Sequence, residues 1–213
     1  MLCLQGGAEF GAACTSMDAE LLERVNGRGP VVLLPLAGAP GREYATAAAN
    51  GVRHFGALGA DAYAAPDARS DLAGALAAVH GAGLLVLPGG SPARLLSALT
   101  STPLGEALRG HLDAGGSVMG ASAGAMVLCE HTVLPGAAAR LVKGLGMVAG
   151  AMVVPHYTGP SPWESLAPAG VVVLGLPECS GVLVEGSALT AVGAQAPTVA
   201  GRRLPLGTSR MLG

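Results

Sequence analysis

The stretch "SVMGASAGAMVL", residues Ser117 to Leu128, decides the fold. It opens as a short apolar run of strand length, closes as an apolar segment of helical character, and sets Ser122 between the two in a Gly-x-Ser-x-Gly frame. A strand that turns sharply into a helix is the repeating unit of open parallel α/β sheets, where ligands bind beyond the carboxyl ends of the strands. It is also the setting a nucleophile elbow requires. Gly120, Ala121, Ala123 and Gly124 are small enough for the turn to form and for a substrate to reach the hydroxyl. The frame alone is a weak signal, because the chain holds 34 glycines among 213 residues, and a serine in this place also reads as a helix N-cap.

On either side the same alternation continues. "PVVLLPL" (Pro30–Leu36) reads as a buried strand, and "GREYATAAANGVRHFGAL" places Tyr44, Ala47, Ala48, Gly51, Val52 and Phe55 on one helical face. "ADAYAAP" is a weaker strand, followed by a helix in "SDLAGALAAVHGA" with a Ser70 or Asp71 cap and a strong strand in "GLLVLP". "SPARLLSAL" and "PLGEALRGHLDAG" read as helices with proline near their starts. The segment after Ser122 reads as a helix from Ala123 to about His131. "GAMVVP", "GVVVLGLP", "GVLVEG" and "ALTAVG" then read as strands, a hairpin is expected from about Pro197, and "GTSRMLG" as a frayed end. The alternation predicts an α/β fold: one doubly wound, mostly parallel sheet with helices on both faces, forming a single domain over residues 1–213.

Composition narrows the function classes. Mean hydropathy is +0.53, but alanine carries much of it, and no run approaches the roughly 18 apolar residues of a membrane span. "MLCLQGGAEF" lacks the basic start of a secretory signal, so a cytoplasmic location is expected. Net charge is −2 and the basic residues are scattered, which disfavours nucleic acid and anionic membrane as partners and leaves a small molecule. The four cysteines, Cys3, Cys14, Cys129 and Cys179, are widely spaced, as expected of reduced, buried thiols rather than a disulfide framework or a zinc site.

A serine nucleophile needs a base. Of the five histidines, His54, His80 and His111 fall in predicted helices and His131 lies far along the helix from Ser122, whereas His156 follows "AMVVP" at a strand's carboxyl end. The base needs a carboxylate to orient it. Every aspartate precedes Ser122, so a third member that follows the nucleophile is Glu130, Glu164, Glu178 or Glu185. Glu130 shares the helix with His131 and Glu164 falls in the loop "TGPSPWESLAP". Glu178 ends "VVVLGLPE" at another strand terminus, so Ser122, His156 and Glu178 form the best set, with Glu185 still open. For the oxyanion, one donor is the Ala123 amide, directly after the nucleophile, and the Gly89–Gly90 turn of "LLVLPGGSPARLL" offers a second. That turn has neither the lysine of a P-loop nor a Gly-x-Gly-x-x-Gly pattern.

Taken together, "VVLLPLAG", "LLVLPGGSPARLL", "MGASAGAMVL" and "VVPHYTG" followed by "VLGLPE" resemble the dipeptidase E family of serine peptidases, which includes aspartyl dipeptidase and, more distantly, cyanophycinase. The resemblance implies a flavodoxin-like or class I glutamine-amidotransferase-like sheet, a Ser-His-Glu triad at Ser122, His156 and Glu178, and oxyanion amides at Gly90 and Ala123. It implies no metal or organic cofactor and a small peptide as substrate, with Gly89 and Ser91 at the floor of the substrate site. A homodimer is left open. This chain departs from the family pattern at Pro88, where a glycine is usual, and at Ser91-Pro92, where Asn-Thr is usual. The segment "YTGPSPWESLAPAG" after His156 is short and has no Arg or Lys, so a strict preference for amino-terminal Asp is not expected. Tyr157 and Trp163 in that segment either line a pocket for an apolar side chain or close the core. Arg94 either pairs with a substrate carboxylate or is solvated.

These features point to a serine exopeptidase acting on short peptides through an acyl-enzyme. The competing readings are a cyanophycinase-like hydrolase of β-linked acidic peptides and a binding protein on the same sheet. Glutamine-amidotransferase chemistry is disfavoured because a serine fills the elbow where a cysteine is usual, and an α/β-hydrolase esterase because its histidine would come last.

Overall fold

The structure is a computed structural model that describes residues 1–212. In chain order its elements are β1 (Leu2–Gln5), α1 (Thr15–Val25), β2 (Val31–Leu33), α2 (Arg42–Ala57), β3 (Ala62–Ala64), α3 (Leu72–Gly81), β4 (Leu84–Leu87), α4 (Pro92–Thr100), α5 (Leu104–Asp113), β5 (Ser117–Ala121) and α6 (Ala123–Leu128). After these come β6 (Cys129–Leu134), β7 (Arg140–Lys143), β8 (Val148–Val154), β9 (Val172–Gly175), β10 (Ser180–Glu185), β11 (Ala188–Gly193), β12 (Thr198–Val199), β13 (Arg202–Arg203) and β14 (Ser209–Met211).

The expected α/β architecture is present. An eight-stranded sheet runs in the order β14-β11-β10-β1-β5-β4-β2-β3, parallel from β1 through β3 and antiparallel from β1 to β14. Its central strands β1, β5, β4 and β2 are buried on both faces, which is why they read as continuous apolar runs. Cys3, Val31, Leu33, Leu84, Val86 and Met119 face α1 and the end of α2, while Leu2, Leu4, Val32, Leu85, Leu87 and Val118 face α3 to α6. The predicted cap of α3 is Asp71, whose side chain accepts the Gly74 amide hydrogen, and Pro92 opens α4 behind the Ser91 cap. No helix among the described residues is long and apolar enough to cross a membrane.

Three expectations need correction. The helix after Ser122 ends at Leu128 rather than near His131, because the chain there enters a second sheet: His131 and Glu130 lie on β6, whose neighbours are β7 and β8. That second sheet has six strands in the order β13-β12-β9-β8-β6-β7, so the single sheet expected from the alternation is divided in two. The end is not frayed at 209–211, where β14 pairs with β11; Gly213 lies outside the described residues. A strand for which no expectation was stated, β1 in "MLCLQGGAEF", takes a central place between β10 and β5, and α1 follows it. The expected hairpin near the end is β12–β13.

Candidate active site

Two sheets meet at the site. Ser122 follows β5 of the eight-stranded sheet, His156 follows β8 of the six-stranded sheet, and Glu178 lies on the link from β9 to β10, where the chain crosses from the second sheet back to the first. The end of β1 ties these three loops together by backbone hydrogen bonds. Ser122 N–H donates to the Gln5 carbonyl at 2.9 Å, His156 N–H to Gly6 at 2.8 Å and Cys179 N–H to Gly7 at 2.9 Å. A further bond from Tyr157 N–H to the Leu176 carbonyl at 2.9 Å joins the histidine and glutamate loops directly.

The backbone at Ser122 is strained, with φ 48° and ψ −108°. A non-glycine residue with positive φ is uncommon and persists where its surroundings over-determine it. Here the Gln5 bond holds one side, and on the other Gly120 and Gly124 pack so closely that a methyl on Gly120 would stand 2.5 Å from the Gly124 carbonyl carbon. His156 and Cys179 also have positive φ, each 50°. Two of these turns bring Ser122 and His156 together, and the third directly follows Glu178.

There Ser122 Oγ lies 3.0 Å from His156 Nε2, and His156 Nδ1 lies 2.9 Å from Glu178 Oε1. In the tautomer with the proton on Nδ1, the ring donates to Glu178 and accepts from the Ser122 hydroxyl, which is the chain of groups that activates a serine. The His156 and Glu178 side chains are 50% and 58% exposed, so water competes for this hydrogen bond. Glu185 ends β10 on the far side, beside the amino terminus, and makes no contact with His156.

The remaining expected site residues divide. The Gly90 amide has no acceptor among the described residues, and the Ala123 amide, at the first residue of α6, has no intrahelical acceptor. The Gly89 amide is engaged: it donates to Glu9 Oε1 at 2.7 Å. Ser91 Oγ caps α4 by accepting the Arg94 amide hydrogen at 3.2 Å. Arg94 itself donates to the Ala37 carbonyl at 2.7 Å and pairs with Glu43 at 3.3 Å. Tyr157 borders a cavity of about 360 Å³ together with His156, Glu178 and Gln195, and its ring also packs on Gly175. Trp163 rests against the core in a short 3-10 turn (Pro162–Leu166), and Glu164 caps that turn through Ser161 N–H. Glu130 accepts the Gly150 amide hydrogen on the second sheet.

Sequence reasoning missed the loop after β1. Gly7 passes over the face of the His156 ring, where any side chain would collide, and Glu9 reaches the glycine turn. The available signal was "QGGAEF", a strand followed by paired glycines, which has the same form as "LPGGS" after β4. All four cysteines are free and buried. Burial pushes the Cys129 thiol up to about 12 and raises those of Cys3 and Cys14 further. Among the described residues no group of three or more His, Cys, Asp or Glu is placed to hold a metal ion.

The family model of peptidase family S51 matches residues 2–198. Among solved structures, a peptidase from an acI-B1 Actinobacterium is 23% identical with a TM-score of 0.81, covering 99% of this chain and 96% of that one. A putative peptidase E protein from Listeria monocytogenes EGD-e is 16% identical with a TM-score of 0.59, covering 96% of this chain and 98% of that one. At these identities the two structures speak for the fold alone. No curated protein matches the chain.

Proposed function

The chain belongs to peptidase family S51, a family of serine peptidases, and from that premise we propose that it is an exopeptidase of short peptides working through Ser122, His156 and Glu178. The observation that carries the reading is the unbroken contact from Ser122 Oγ to His156 Nε2 and from His156 Nδ1 to Glu178 Oε1. Ser122 Oγ attacks the peptide carbonyl carbon while its proton passes to His156 Nε2. Glu178 holds the ring and stabilises the imidazolium. The oxyanion is met by the Gly90 and Ala123 amides. As the tetrahedral intermediate collapses, the C–N bond breaks and His156 returns the proton to the leaving amine. Water, deprotonated by the same ring, then cleaves the ester and restores Ser122.

The cavity beside His156 and Glu178 has no Arg or Lys on its wall, which supports a substrate without a required acidic side chain. The test is a mass-spectrometric time course of di- to hexapeptides with the protein and with Ser122→Ala. Products that appear only with the parent protein, as single residues or dipeptides leaving one end, support the proposal. Internal cleavage overturns the exopeptidase reading, and equal activity of Ser122→Ala overturns the nucleophile.

A further inference from the structure

The loop that leaves β1 carries one charged side chain, Glu9, to the edge of the nucleophile. Its Oε1 accepts the Gly89 amide hydrogen at 2.7 Å. A methyl built on Gly89 would stand 2.9 Å from that oxygen and 3.2 Å from Ser122 Cβ, so the carboxylate and the serine border the same small space.

The loop is held on both sides of Glu9. The Ala8 carbonyl accepts from the Cys14 and Cys179 thiols at 3.2 and 3.6 Å, and Phe10 packs its ring on His54 and Phe55 at centroid distances of 5.7 and 6.1 Å. Ala8 and Phe10 both have positive φ, 55° and 65°, so the chain adopts strained backbone on each side of this one residue. Glu9 forms no ion pair among the described residues.

An unpaired carboxylate beside the nucleophile opposes acyl transfer, because the oxyanion forms in the same space and like charges repel. The arrangement favours the reaction only when the substrate brings a positive charge. A peptide has one in a fixed place: its α-ammonium is two bonds from the first carbonyl carbon, so a group that reads it must crowd the nucleophile, as Glu9 does.

We propose that Glu9 is a specificity residue that binds the α-ammonium of the substrate. This rests on Ser122 being the acylating nucleophile. The Gly89 amide engages one carboxylate oxygen and fixes its plane, which leaves Oε2 for the substrate.

The test compares alanyl-alanine with propionyl-alanine, the same molecule with hydrogen in place of the ammonium. The parent protein is expected to favour alanyl-alanine in kcat/KM by about 10- to 100-fold, the range of a hydrogen bond between charged groups, and Glu9→Gln to bring the two substrates within about 3-fold. Gln at this position still accepts from Gly89 N–H, so the variant removes charge and keeps the local bond. A parent protein that cleaves both substrates equally overturns the proposal, and this comparison holds even where Glu9→Gln fails to fold. A folded Glu9→Gln that keeps the parent preference also overturns it. A fluorophosphonate probe on the parent protein separates the two levels: labelled Ser122 without ammonium preference defeats the role of Glu9 alone, whereas unlabelled Ser122 defeats the nucleophile and this proposal with it.

Discussion

Gly7 lies flat against the His156 ring, and a methyl on its Cα would stand 2.7 Å from Nδ1 and 2.8 Å from Nε2. The position also has φ 125°, which only glycine adopts at low cost. The base of the triad is thus seated by the absence of a side chain on a neighbouring loop. Gly7→Ala should displace the ring from Ser122, and a shift of about 1 Å is enough to lower kcat by about 100-fold. Steady-state kinetics should show the loss in kcat with KM little changed, while circular dichroism reports a folded protein. An unchanged kcat would mean the ring can move aside and return.

Glu178 and Glu185 separate cleanly in space, since only Glu178 meets His156. Glu178→Gln should lower kcat by about 10³- to 10⁴-fold, as loss of the orienting carboxylate does in other serine triads. Glu185→Gln, an exposed change at the far end of β10, should leave the rate within about 2-fold. The reverse order would reassign the carboxylate.

Substrate choice follows from the charges at the site. With Glu9 at the glycine turn and no Arg or Lys on the cavity wall, an acidic first side chain gains no partner. Aspartyl-alanine and alanyl-alanine should therefore be turned over with kcat/KM values within about 10-fold of one another, a gap of about 1.4 kcal/mol. A strong preference for the aspartyl peptide in a competition assay would sink this expectation.

Stability should depend on the buried pair of His54 and Asp18, whose Nε2 and Oδ2 are 2.7 Å apart with side chains 9% and 0% exposed. Burial raises the Asp18 carboxyl above the ordinary range, and the His54 hydrogen bond pulls it back down. Between its unfolded value and this raised folded value the fold binds a proton that the unfolded chain does not, so stability falls as pH rises through that window. His54→Leu keeps bulk against Phe10 and Phe55 but removes the donor, which raises the carboxyl further and extends the window upward. The variant should lose about 3 kcal/mol at pH 7 and less at pH 4, read from urea melts at both values. Equal losses at the two pH values would contradict the ionic origin.

The elbow should be intolerant of bulk. A methyl on Gly124 would collide with the Leu87 carbonyl oxygen, a backbone atom of β4 that cannot step aside. Gly124→Ala is expected to cost about 1–3 kcal/mol through overpacking and to reduce Ser122 reactivity in the fraction that remains folded. A thermal melt beside fluorophosphonate labelling checks both effects.

What the sequence determined by itself is local. Strands buried on both faces appear as runs such as "PVVLLPL" and "GLLVLP", helices appear by their period and caps, and the small residues around Ser122 announce the sharp turn, because each signal depends on neighbours a few residues away. The chain order Ser122, His156, Glu178 was legible for the same reason: each follows a strand.

Only the tertiary structure decided what depends on distant contacts. That β1 takes a central place rests on pairing with β5 and β10, more than a hundred residues away, and a four-residue strand carries no mark of such partners. The division into two sheets turns on where α6 stops, and α6 stops because Cys129 and His131 find pairing partners on β8. The contact of Glu178 rather than Glu185 with His156, and the arrival of Glu9 beside Ser122, follow from loops whose left-handed residues hold their shape only against one another. Backbone strain of that kind is paid back by packing across the fold, so no window of sequence short enough to read by period contains it.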